Sequence, residues 1–105
     1  MRRIQGDTGL PLYNVLLPIG LPPQQLLVGR VSTDVQLHFI NKSSKVHRIG
    51  DGTVSITDAV NGKFTYNWGV IDLAIADTYE YYVVVLIDGK PVHYTSKILE
   101  VIYKP

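Results

Sequence analysis

Cysteine is absent from the 105 residues. That single absence excludes disulfides, Cys-ligated zinc, iron–sulfur clusters and thiol catalysis, and leaves the redox compartment open. An excess of one charge is also missing, because ten basic residues against nine acidic ones give a net charge of +1. Nucleic-acid binders usually carry a strong basic excess, so nucleic acid is not an expected partner. Long apolar runs are missing too. Val15 to Leu17 and Tyr81 to Ile87 are the longest, far short of the roughly 20 residues a membrane-spanning helix needs. Met1-Arg2-Arg3 is followed by Gln5, Gly6, Asp7 and Thr8 rather than by an apolar stretch, so neither a secretory signal nor a membrane partner is expected and the chain reads as soluble. Helical periodicity is the last absence, since no segment of about ten residues or more shows it. What remains is 46% hydrophobic and 18% charged, a globular composition at the length of one domain.

Residues 1–28 differ from the rest. They hold Pro11, Pro18, Pro22 and Pro23, four of the six prolines, among many Leu, Ile and Val residues. Proline cannot donate to a sheet ladder, so it marks edge strands and extended segments. We read 1–28 as an extended arm with a first edge strand over residues 12–17. Residues 18–25 read as a loop, and 24–28 allow a short strand. Residues 29–105 read as the body of a single domain.

That body alternates with period two. Val35, Leu37 and Phe39 share one face, as do Val54 and Ile56, and then Phe64, Tyr66 and Trp68. Each set predicts a half-buried strand. Polar or glycine-bearing stretches separate them: Asn41 to Lys45, Gly50-Asp51-Gly52, Asn61-Gly62 and Asp88-Gly89, all read as hairpin turns. Residues 71–77 break the alternation and predict one helical turn or a crossover. The segment from Thr78 to Ile87 is the most strand-like. Tyr79, Tyr81, Val83, Val85 and Ile87 form one face, while Glu80, Tyr82, Val84 and Leu86 form the other. Apolar on both faces, it belongs at the centre of a sheet or against a partner. Val92 to Tyr103 makes the last strand or pair. About seven or eight short strands with regular turns predict an antiparallel β-sandwich.

Residues able to do chemistry are scattered. His38, His47 and His93 have no metal-ligand spacing and read as solvent-facing strand positions, unless the fold brings strands together. There is no G-x-S-x-G elbow and no phosphate-binding glycine loop. Asp51 and Asp58 read as turn-stabilising rather than as calcium ligands. Lys42, Lys45, His47 and Arg48 form a small basic cluster on what reads as a solvated hairpin. No catalytic, metal or cofactor site is expected. The apolar positions Leu12, Tyr13, Val15, Leu17 and Ile19, with Tyr82, Val84 and Leu86 on the outer side of their strand, are the expected interface residues. Tyr suits such a role through its large area and polar tip.

The stretch Asp58-Ala59-Val60-Asn61-Gly62-Lys63-Phe64-Thr65-Tyr66-Asn67-Trp68, then Asp72, then Ala76-Asp77-Thr78-Tyr79-Glu80-Tyr81 resembles the Ig-like modules of tailed-phage virion proteins. These include the N-terminal domain of baseplate upper proteins and small decoration proteins. The opening Gly6-Asp7-Thr8 is similar to the start of such modules, whereas Asp77 stands where they usually have glycine. The resemblance implies an Ig-like sandwich in which Asn61 and Gly62 make a tight turn and Trp68 plugs the core. Asp72 would cap the crossover, and Tyr79 would form a tyrosine corner, its hydroxyl bonded to backbone a few residues upstream. It implies a structural role in the virion on capsid, neck, tail or baseplate, with other virion proteins and further copies of the chain as partners, and no enzyme activity or cofactor. A second reading is a sandwich that binds carbohydrate or a host surface through Trp68 and exposed tyrosines.

Overall fold

A computed structural model describes residues 1–7, 9–15, 27–94 and 96–103. They build nine strands: β1 (Arg2–Ile4), β2 (Leu12–Val15), β3 (Val35–Asn41), β4 (His47–Ile49), β5 (Thr53–Asp58), β6 (Lys63–Asn67), β7 (Asp77–Ile87), β8 (Lys90–His93) and β9 (Lys97–Ile102). One sheet has the order β1-β9-β7-β3-β4, with β8 also paired to β7; the second has the order β2-β6-β5. The two sheets pack face to face as an all-β sandwich.

The period-two pattern decides which side chains meet between the layers. Val35, Leu37 and Phe39 of β3 and Tyr79, Tyr81, Val83 and Val85 of β7 are buried, and Phe64 and Tyr66 of β6 face them with Trp68 just past its end. Phe39 of one sheet lies 6.5 Å from Tyr66 and 6.2 Å from Trp68 of the other, and those two rings meet edge-on at 5.5 Å. The tilted and edge-on geometries are those that aromatic quadrupoles favour. As its two apolar faces predict, β7 is central, with β3 on one side and β8 and β9 on the other.

Four expectations need correction. The described part of residues 1–28 holds the expected edge strand as β2 but is tied into the body rather than forming an arm apart; residues 16–26, with the expected loop over 18–25, lie outside the described residues. Arg2–Ile4 pairs in parallel with β9, Leu12–Val15 pairs with β6, and Leu12 and Leu27 are core residues. Gly50-Asp51-Gly52 is not a hairpin turn, because β4 and β5 belong to different sheets and this segment carries the chain between them. Asn61-Gly62 is not a two-residue turn. The β5–β6 connection spans residues 59–62 after a bulge between Ile56 and Asp58, and only Gly62 has a positive φ, +66°. There the Asp58 carboxylate accepts from the Asn61 backbone N–H and, at 2.7 Å, from its side-chain amide, which closes a wider turn. The strand count is nine because the last strand is split into β8 and β9 along one edge of β7 and because the chain start adds β1.

Other elements follow the pattern. Asp88-Gly89 is a two-residue hairpin with φ of +53° and +78°, the handedness such tight turns require. Residues 70–76 form the crossover from the small sheet to the large one. At its exit Asp77 accepts from Thr78 N–H at 2.7 Å and Ser43 Oγ at 3.0 Å.

Candidate functional site

The two outer faces differ in chemistry. On the small sheet the outward residues of β5 and β6 are Thr53, Ser55, Thr57, Lys63, Thr65 and Asn67, a polar coat. On the large sheet Ile4, Ile98 and Ile102 lie outward near the β1–β9 edge, and Ile49 lies outward at the β4 edge. Each is 42–52% exposed. The ion pairs Arg2–Glu100 at 3.2 Å and Lys42–Glu80 at 3.7 Å lie on the same face.

Between those isoleucines lies a cluster that no local pattern shows. Alternation on β3 turns His38 away from Leu37 and Phe39. The β3–β7 register sets Tyr82 directly across from it, and the β3–β4 register brings His47 in on the diagonal. His93 of β8 is diagonal to Tyr82 on the far side. Four neighbouring strands thus contribute His47, His38, Tyr82 and His93 in a row. The His38 and His47 rings stack at 5.1 Å, His38 and Tyr82 at 5.2 Å, and Tyr82 and His93 approach at 5.8 Å.

His38 Nε2 lies 3.0 Å from Gln36 Oε1, an acceptor, and this pairing is the one that goes with the Nε2–H tautomer of His38. His38 Nδ1 therefore presents a lone pair, and His47 Nε2–H donates to it at 2.9 Å. Tyr82 Oη lies 3.3 Å from the same His47 nitrogen. Burial first, then the neighbouring His47 and His93, hold the His38 pKa below the ordinary imidazole value. Among the described residues, no three His, Asp or Glu side chains converge on one metal position.

A second polar centre is internal. Asp72 is 1% exposed and accepts from Tyr66 Oη at 2.5 Å, Arg48 Nη1 at 2.8 Å, Gly69 N–H at 2.8 Å and Asp51 N–H at 3.2 Å. Burial alone would raise its carboxyl pKa. The bonds from Tyr66, Arg48 and Gly69 outweigh burial and hold it below the usual carboxylate range. Burial, with Asp72 second, pushes the Tyr66 hydroxyl well above its ordinary value. With both carboxylate oxygens occupied, this centre ties the crossover to β4, the β4–β5 link and β6. A 360 Å³ cleft beside it is lined by Ser32, Leu37, Ile49, Gly52 and Val54, and a 210 Å³ cleft lies among Phe39, Val46, Arg48, Ile75 and Tyr79.

The expected interface residues separate on folding. Tyr13 is 76% exposed, whereas Leu12 is turned into the core by the β2–β6 pairing and is unavailable to a partner. Tyr82 and Leu86 are half-buried on the outer face. Val84 is outward too but is 2% exposed, so it supports the face rather than presenting itself. Leu17, Ile19 and the side chain of Val15 lie outside the described residues. Of the expected structural positions, Trp68 is in the core with Nε1 donating to Leu10 O at 2.8 Å and Tyr79 Oη donates to Ile75 O at 2.8 Å, whereas Asn61 and Gly62 sit in the wider turn described above. The basic cluster disperses, as Arg48 turns to Asp72, Lys42 to Glu80 and His47 to His38. Comparison with family models, curated proteins and solved structures finds no match to this chain.

Proposed function

We propose that this chain is a non-enzymatic structural component of a phage virion, an Ig-like module for assembly or attachment on capsid, neck, tail or baseplate. The observation that carries the assembly role is the asymmetry of the two outer faces. The small sheet presents Thr, Ser, Asn and Lys from β5 and β6 with the single exposed Tyr13 of β2, while the large sheet presents Ile4, Ile49, Ile98 and Ile102 around an aromatic–histidine centre. Apolar residues spread over one sheet face suit contact with another protein. The Tyr79–Ile75 hydrogen bond supports the Ig-like part of the reading, since it is the bond a tyrosine corner makes. The resemblance of residues 58–81 supplies the virion. The carbohydrate-binding reading loses its chief candidate, because Trp68 is 5% exposed and its ring nitrogen is occupied.

Light scattering on the eluting full-length chain tests the assembly role. The wild type is expected at a multiple of 11.7 kDa. A variant carrying Ile98→Glu and Ile102→Glu is expected as a monomer with an unchanged far-ultraviolet spectrum. A wild type that stays monomeric at all concentrations and binds no particle protein would overturn the reading.

A further inference from the structure

We propose that His38, His47 and Tyr82 form a binding site for a divalent transition-metal ion, Cu²⁺ foremost. Two imidazole nitrogens lie side by side on the outer face, where an ion can reach them, and the Tyr82 phenol oxygen lies beside one of them. His38 Nδ1 and His47 Nε2 are 2.9 Å apart, and Tyr82 Oη is 3.3 Å from the latter. Two cis nitrogens at a metal–nitrogen distance of about 2.0 Å stand about 2.8 Å apart, so the imidazoles are already at chelating separation. The gap between the two nitrogens is bridged by their hydrogen bond, and an ion about 2.0 Å from each would sit to one side of that line, with both rings turned toward it. His47 binds the ion as its Nδ1–H tautomer, releasing the Nε2 proton to solvent and taking one up at Nδ1, so both imidazoles stay neutral, and Tyr82 keeps its phenol proton.

The second observation is the amide of Gln36. Histidine ligands of metals almost always give their other ring N–H to a carbonyl or carboxylate, which fixes the tautomer and raises ligand basicity. Gln36 Oε1 does this for His38, accepting from Nε2 at 3.0 Å. Nδ1 is thereby held as a lone-pair donor before any ion arrives. Imidazole nitrogen suits copper, nickel and zinc, and the Irving–Williams order puts Cu²⁺ first. His93 stands across Tyr82, with its ring 5.8 Å from the phenol, and is not a ligand in this arrangement. The site does not depend on the virion reading.

Calorimetric titration of the tag-free full chain with copper(II) sulfate tests it, with electron paramagnetic resonance at one equivalent. One ion is expected to bind per chain with nitrogen hyperfine structure. His38→Gln and His47→Gln should each weaken binding by about tenfold or more, and His93→Gln should not. Gln36→Leu should weaken binding by about tenfold, with Gln36→Glu restoring it because an acceptor returns. Thermal melts of each variant establish folding. Should a variant fail to fold, copper-induced broadening of wild-type amide resonances gives the answer: broadening centred on residues 38, 47 and 82 supports the site. No binding tighter than about 100 μM, binding as tight as wild type by both histidine variants, or broadening centred elsewhere would overturn it.

Discussion

Asp72 shows how a single side chain holds several loops. It joins the crossover to Arg48, the Asp51 backbone and Tyr66, with its own carboxylate buried. Asp72→Asn keeps the shape and removes the charge, leaving the Arg48 guanidinium without its counter-ion. We expect a loss of about 2–4 kcal/mol in urea unfolding followed by Trp68 fluorescence. The pH dependence has a definite sign. The folded pKa of Asp72 is depressed, so its contribution is complete above the ordinary carboxylate range and is lost as pH falls through the folded value. The stability gap between wild type and Asp72→Asn should therefore narrow in acid, and a gap constant from neutral pH to pH ~2 would contradict this. Tyr79→Phe deletes the bond to Ile75 O. It should cost about 1 kcal/mol in the same assay.

At the scale of elements, connections rather than strands depart from expectation. Strands β3, β6 and β7 were legible because alternation is a local property of the chain and the buried set follows from it. Asp88-Gly89 was legible because adjacent left-handed residues specify a tight hairpin on their own. Gly50-Asp51-Gly52 was not. Those residues signal a change of direction but not which strand the chain will pair with next. Their glycines are required by space rather than by φ. A Cβ on Gly52 would run into Asn67 O and the Tyr66 ring, and one on Gly50 into Tyr66 and Phe39. Gly52→Ala should cost about 1–3 kcal/mol by overpacking, read from the shift in the urea midpoint. A variant as stable as wild type would show that the sheets part there without penalty.

For the whole molecule, the first residues prove to be structural. Met1 O accepts from Glu100 N–H at 2.9 Å, Gln5 N–H donates to Ile102 O at 2.8 Å, and Gly6 N–H donates to Leu73 O at 2.8 Å. Deleting residues 1–28 removes a strand from each sheet together with the core residues Leu12 and Leu27. That truncation should show no cooperative thermal transition by circular dichroism, since a domain this small has little core to spare. A stable, folded truncation would restore the idea of a separable arm. Assembly is therefore better probed by surface changes such as those at Ile98 and Ile102.

Composition and alternation were sufficient for the all-β class, the tight turn at Asp88-Gly89 and the inward set from Val35 to Val85, because each depends on neighbours within a few residues. Pairing between distant strands was not encoded that way. His38, His47, Tyr82 and His93 are spread over 56 residues of chain, and no spacing rule links them. They stand in a row only because β4, β3, β7 and β8 lie side by side in a particular register. Asp72 read from its sequence neighbours is a capping residue; its Arg48 and Tyr66 partners arrive from other strands when the sheets close. Register and sheet order arise from burial summed over the whole core, and the outer-face cluster is their by-product.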